Sequence, residues 1–205
     1  TATCSLKGGM GDDAIQGLNG CVTTSVYTGA YANYAVKLEA GLQSVVQDNV
    51  AGRDGVDALS NVPRLKFTDT MLALDTAVGQ TGGEAYRLYK AAFDRTPDVQ
   101  GLGYWIGSMD QGGSLQGVAS AFTQSAEFIA MYGADSSNST FINLLYQHVL
   151  HRSPDAAGNA YWLGELATGH MNRGAVLASF SESTENVQQT ATLVANGIQY
   201  QQWLS

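Results

Sequence analysis

Two stretches of this chain read alike at a fixed distance. Leu88–Trp105 is L-Y-K-A-A-F-D-R-T-P-D-V-Q-G-L-G-Y-W, and Leu145–Trp162 is L-Y-Q-H-V-L-H-R-S-P-D-A-A-G-N-A-Y-W. From Leu88 to Leu145, as from Trp105 to Trp162, is 57 residues. Tyr89, Arg95, Pro97, Asp98, Gly101 and Tyr104 recur as Tyr146, Arg152, Pro154, Asp155, Gly158 and Tyr161. Downstream, F-T-Q-S-A-E-F at Phe122–Phe128 is answered one residue out of step by F-S-E-S-T-E-N at Phe180–Asn186. A long period that keeps its apolar positions is the mark of stacked supersecondary units, not of one unique cleft.

Within each copy the period is helical. Tyr86, Tyr89, Lys90 and Phe93 lie at i, i+3, i+4 and i+7, and the pattern stops before Pro97. Asp98 and Asp155 each follow a proline and are suited to cap the next helix, with Gly101 and Gly158 in its first turn, where a neighbouring helix can approach. Further helices are predicted over Leu115–Tyr132, Thr140–His151, Asn159–Leu166, Arg173–Ser181 and Thr184–Asn196, with the tail from Tyr200 to Leu204 packing Trp203 on the bundle. Residues 1–80 have another rhythm. Tyr34, Val36 and Leu38 alternate with Ala35, Lys37 and Glu39, as in a half-buried strand. Val45–Val46, the series Leu59, Val62, Leu65 and Phe67, and Leu72 with Leu74 suggest more short strands around the turn-rich Asp48–Asp57. Gly79–Gly83 reads as a flexible junction. The expected fold is therefore α+β: a β domain over 1–80, then an all-α bundle of two related repeats over 83–205.

Charge narrows the functional classes. A net charge of −8 with only 10 Lys and Arg excludes a phosphate-tracking nucleic-acid surface. No apolar run is long enough to span a membrane, and the 44 % apolar content suffices for a core. The chain opens on Thr1 and not on Met, so an upstream segment is expected. Cys4 and Cys21 bracket a glycine-rich loop; they either close a disulfide, which implies an oxidising compartment, or are two buried thiols.

The R-T-P-D-V-Q-G-L-G-Y-W and R-S-P-D-A-A-G-N-A-Y-W pair, with F-T-Q-S-A-E-F after the first, resembles the DUF4214 family over residues 83–190. That resemblance implies a helical domain of secreted or surface-layer bacterial proteins, often beside calcium-binding glycine-rich repeats. It is also distantly similar to phycobilisome linker domains, which are assembly modules. Gly8–Gly17, G-G-M-G-D-D-A-I-Q-G, resembles one RTX nonapeptide, which implies calcium-ligating turn positions at Gly8, Gly9, Gly11 and Asp13 and a buried strand position at Ile15. Gly52–Phe67 looks like the strand-rich block that ends such a β-roll.

Each candidate site has a plainer alternative. Asp48, Asp54 and Asp57 suit either a calcium turn or ordinary turn capping. Arg95 with Glu127 and Arg152 with Glu185 suit a charged site used twice, or buried pairs that pin each helical unit. Tyr104, Trp105, Tyr161 and Trp162 suit a sugar-stacking platform, or core packing of at least one ring per pair. His148 and His151 share a helix face but lack a third metal ligand. No G-x-S-x-G, H-E-x-x-H or G-x-x-x-x-G-K motif occurs. The expectation is a non-catalytic module, secreted or on a bacterial surface, serving matrix assembly or adhesion and possessing calcium as its one candidate cofactor. Its partners would be protein, surface polysaccharide or further copies of itself; the alternative is a carbohydrate-binding domain.

Overall fold

Period-2 alternation needs sheet neighbours, and helical periodicity needs a facing helix. A computed structural model describing residues 2–39 and 41–203 supplies both. The strands are β1 (Ala2–Leu6), β2 (Ala14–Gln16), β3 (Cys21–Val26), β4 (Tyr34–Leu38), β5 (Gln43–Asp48), β6 (Val56–Ser60), β7 (Arg64–Lys66), β8 (Met71–Ala73) and β9 (Ile198–Tyr200). The helices are α1 (Thr81–Phe93), α2 (Val99–Asp110), α3 (Leu115–Thr123), α4 (Ala126–Tyr132), α5 (Asn138–Leu150), α6 (Ala156–Thr168), α7 (Arg173–Ser181) and α8 (Thr184–Val194). The fold is α+β, with its helical part C-terminal to the main β region. Two compact units result. The first holds the described residues of 1–83, 98–112 and 192–205; the second holds 84–97 and 113–191. Thus 98–112 and 192–205 group with the strands, whereas the sequence reading placed all of 83–205 in one helical domain.

In the first unit the chain winds between two sheets, ordered β1-β3-β7-β8-β9 and β2-β6-β5-β4. β1, β3 and β7 run parallel, and so do β2 and β6, while β4 and β5 form an antiparallel hairpin inserted in the second winding. Inward positions build one core from Ile15, Tyr27, Tyr34, Val46, Leu59, Leu65, Phe67 and Leu72. The expected run from Leu59 to Phe67 is two strands, because the chain crosses between sheets at Asn61–Pro63. The tail departs from expectation. It pairs as β9 with β8, and Trp203 lies edge-on to Tyr104, 5.1 Å between ring centroids. Leu204 lies outside the described residues. Helix α2 can reach this segment because Gly103 has no side chain: a Cβ there would stand 1.7 Å from the Gln201 carbonyl oxygen.

The helices carry the repeat in their boundaries. Thr81 and Asn138, which start α1 and α5, are 57 apart, as are Val99 and Ala156; Leu115 and Arg173, like Ala126 and Thr184, are 58 apart. The proline-following aspartates cap as expected: Asp98 accepts from the Gly101 N–H at 2.6 Å and Asp155 from the Gly158 N–H at 2.9 Å. A Cβ at Gly158 would meet the Tyr146 hydroxyl on α5, but one at Gly101 would meet only its own Asp98 cap. The helix expected over Leu115–Tyr132 is two, because Ser125 accepts from the Phe128 N–H and starts α4 afresh. The expected flexible junction is shorter than Gly79–Gly83, since α1 begins at Thr81. In the second unit Leu88, Phe122, Tyr132, Phe141, Leu145 and Phe180 are buried.

Candidate functional site

Three arrangements in the structure bring the candidate residues together. The first is a stack of turns. β2 pairs with β6 in the register Ala14↔Ala58, Ile15↔Leu59 and Gln16↔Ser60. The segment before β6, Gly55-Val56-Asp57, therefore lies on Gly11-Asp12-Asp13, with Gly55 beside Gly11 and Asp57 beside Asp13. The Asp13 N–H donates to Asp57 Oδ1 at 3.1 Å, the Val56 N–H to Asp12 Oδ1 at 2.9 Å, and the Ala58 N–H to the Asp13 carbonyl at 2.8 Å. Gly55 has φ +76 and a Cβ there would lie 2.1 Å from the Gly11 carbonyl oxygen, so the stack needs glycine. A second turn stacked on the first is thus present, 44 residues after it as Asp13 and Asp57 show. The hairpin inserted between the two turns hides it from a search for adjacent repeats.

This stack leaves a polar atom unanswered. Asp13 Oδ2 is buried without a hydrogen-bond partner among the described residues. Burial raises the Asp57 pKa above the ordinary aspartate value, against the lowering effect of the Asp13 N–H. Among the described residues no three His, Cys, Asp or Glu side chains are grouped to hold a metal ion. An ion at Asp13 and Asp57 would draw its remaining oxygens from the main chain, as the hard-cation chemistry of calcium allows.

Asp48 and Asp54, grouped with Asp57 in the sequence reading, have other employment. Asp48 accepts Arg53 Nε and Nη2, both at 2.6 Å, together with the Val50 and Asp54 N–H groups. The Arg53 bonds hold its pKa at about 2. Asp54 accepts from the Thr28 N–H at 2.8 Å and from the Tyr34 hydroxyl at 2.5 Å. Burial would raise the Asp54 pKa, but these bonds outweigh it and the net shift is downward; Tyr34, buried and facing Asp54, is pushed up to about 12. Here the turn-capping alternative describes the carboxylates. Gly8 abuts Asp13, whereas a Cβ at Gly9 or Gly11 would meet nothing within 4 Å. Cys4 and Cys21 form a disulfide.

The second arrangement is a matched pair in the helices. Arg95 reaches Glu127 through Nε at 2.8 Å and Nη2 at 3.2 Å; Arg152 reaches Glu185 through Nε and Nη2, each at 2.9 Å. Each guanidinium lies over a tyrosine, Tyr89 at 5.1 Å and Tyr146 at 5.0 Å. Asp94 and His151, just before these arginines, both take the left-handed conformation that ends their helices. The expected pairs form, but they are exposed and not buried. The buried pairs are others: Arg87 with Glu182, both contacts 2.7 Å, and Arg64 with Asp75 and Asp110. Isolated arginines in apolar surroundings, R-L-Y-K at Arg87 and P-R-L-K at Arg64, were the available signal. His148 packs its ring on Tyr132 at 5.4 Å and His151 is exposed, so the two do not converge.

The third is the aromatic pair, present twice. Tyr104 and Trp105 meet edge to face at 4.7 Å, Tyr161 and Trp162 at 4.8 Å. Tyr104 is 41 % exposed and Tyr161 54 %. Neither tryptophan is fully buried, which corrects the expectation of one core ring per pair; Trp162 leans on Phe180 at 5.2 Å.

Among the described residues no helix is long and apolar enough to cross a membrane. A search among curated proteins finds no match. The family model described as a domain of unknown function, DUF4214, matches residues 85–131 and again 119–190, the two copies seen in the helices. With the repeated helices and their caps, these matches place the chain in the DUF4214 family.

Proposed function

We propose that the protein is a non-catalytic interaction module of a bacterial surface or secreted matrix, assembling with further copies of itself or with surface partners. The observation that carries this reading is the twofold exposure of one aromatic pair. Tyr104 and Tyr161 occupy equivalent helices and both leave much of their ring in water. Tyrosine and tryptophan supply large, stiff contact area at low entropic cost, and they are enriched in the cores of interfaces. An assembly surface used twice per chain makes contacts that can propagate.

The Cys4–Cys21 disulfide supports an oxidising, extracytoplasmic setting. Calcium is the ion we assign to the turn stack, with Asp13 and Asp57 as the side chains that would hold it. The support is the orphaned Asp13 oxygen and the buried Asp57 carboxylate. Bound there, calcium would supply positive charge beside the Asp57 carboxylate, which burial otherwise penalises. Light scattering coupled to size exclusion tests the assembly reading: the mass is expected to rise with concentration in calcium, and a constant monomer mass contradicts it.

A further inference from the structure

Helices α2 and α6 are one element used twice. They begin 57 residues apart at Val99 and Ala156, and each is capped by an aspartate that accepts from a glycine N–H. Each also sets a tyrosine edge-on to the tryptophan that follows it. Their surroundings differ. Within the first unit α2 buries Leu102, Gly103, Ile106 and Met109, whereas α6, within the second, fully buries none of its residues. What covers α2 is an extended segment of the same chain. The Gln201 N–H donates to the Val99 carbonyl at 2.9 Å, the Gln201 carbonyl lies against Gly103, and Trp203 meets Tyr104 edge-on at 5.1 Å. Carried 57 residues on, Val99, Gly103 and Tyr104 become Ala156, Ala160 and Tyr161, and all three are exposed.

We propose that this side of α6 binds an extended, uncharged peptide segment bearing a tryptophan, supplied by another polypeptide. The inference rests on the reading of the exposed aromatic pairs as contact surfaces, and it names what one of them takes. The occupant is argued from the equivalent helix, where Tyr200-Gln201-Gln202-Trp203, a segment without charge, fills the same positions. The Ala156 carbonyl, in the first turn of α6, has a second lone pair for a peptide N–H, as Val99 has for Gln201. Tyr161 is 54 % exposed against 41 % for Tyr104, so its ring edge is open to an indole. Ala156, Ala160, Tyr161, Gly164 and Ala167 are exposed and uncharged, so an uncharged segment strands no ion when it docks. A second copy does not supply the segment, because its own tail is engaged on α2 with β9 paired to β8. One difference sets the strength of binding. A Cβ at Gly103 would stand 1.7 Å from the Gln201 carbonyl oxygen, so on α6 the methyl of Ala160 holds the segment farther off, and more weakly, than the tail is held on α2.

The test is fluorescence anisotropy of a labelled peptide with the sequence of residues 197–205, titrated with the full chain. Saturable binding at submillimolar concentration is expected. Tyr161→Ala and Ala160→Glu in the protein should each weaken it by roughly tenfold or more, and so should Trp203→Ala in the peptide. Ala160→Gly, which gives α6 the residue that α2 uses, should tighten it severalfold. Both protein positions are exposed, and an unchanged thermal transition verifies folding of each variant. Absence of saturation at millimolar protein overturns the proposal. So does binding that survives both Tyr161→Ala and Ala160→Glu, which places the peptide elsewhere, or equal binding of the Trp203→Ala peptide. Self-association of the chain without peptide binding overturns this inference and leaves the assembly reading standing; peptide binding by a chain that stays monomeric supports this inference and removes assembly with further copies.

Discussion

At the scale of single residues, the arginines separate by what surrounds them. Arg87 is buried with its charge met by Glu182 at 2.7 Å on both nitrogens, while Arg95 meets Glu127 at a surface position. Removing one partner of a buried pair strands the other, at a cost of about 3–5 kcal/mol. An exposed pair contributes roughly 0–1 kcal/mol because water screens it. Urea denaturation of Arg87→Ala and Arg95→Ala should therefore give a large and a small loss of stability. The carboxylates differ in sign as well. Asp48 has a folded pKa of about 2 against an ordinary 3.8, so its contribution is present above pH 4 or so and disappears as pH falls through about 2. Asp48→Asn should lose that acid tolerance, seen as an acid-unfolding midpoint moved to higher pH. Asp57 runs the other way: burial raises its pKa, so it favours the fold when protonated and that contribution is lost as pH rises past its folded pKa. Asp57→Asn should raise the thermal midpoint in chelator and abolish the response to calcium. In the native protein, calcium at about 100 times its dissociation constant should add about 2.7 kcal/mol.

At the scale of elements, α2 offers the sharpest contrast between two glycines four residues apart. A Cβ at Gly103 would overlap the Gln201 carbonyl, while one at Gly107 would meet nothing within 4 Å. Gly103→Ala should displace the β9 segment and destabilise the first unit; Gly107→Ala should stabilise α2 by about 0.5–1 kcal/mol through helix propensity alone. Both effects can be read from thermal unfolding and from amide exchange of Ile198–Tyr200. The repeat made the helices legible, because Asp98 and Asp155 each cap three residues ahead of the same glycine and Pro97 and Pro154 end what precedes them. Strand β4 was legible because its alternation faces one core. What the sequence could not display were partners distant along the chain. The pairing of β8 with β9 joins residues such as Ala73 and Ile198, and three residues per strand carry too little pattern to announce it. The turn at Gly55–Asp57 that stacks on Gly11–Asp13 was hidden in the same way by the β4–β5 insertion.

At the scale of the whole molecule, one covalent and one noncovalent device stand out. The Cys4–Cys21 disulfide closes a separation of 17 residues, worth about 3 kcal/mol in chain entropy. Reduction should lower the thermal midpoint of the first unit by several degrees while leaving helical content at low temperature unchanged, measured by circular dichroism. The helical repeat presents its aromatic pair from two equivalent helices, and we propose that these surfaces join the protein to other copies or partners. Sedimentation equilibrium of the native chain and Tyr161→Ala, side by side in calcium, tests this most directly. The native chain should associate as its concentration rises, and the variant should keep a weight-average mass close to the monomer. Association of equal strength in both, or a monomeric native chain across the whole range, would contradict it.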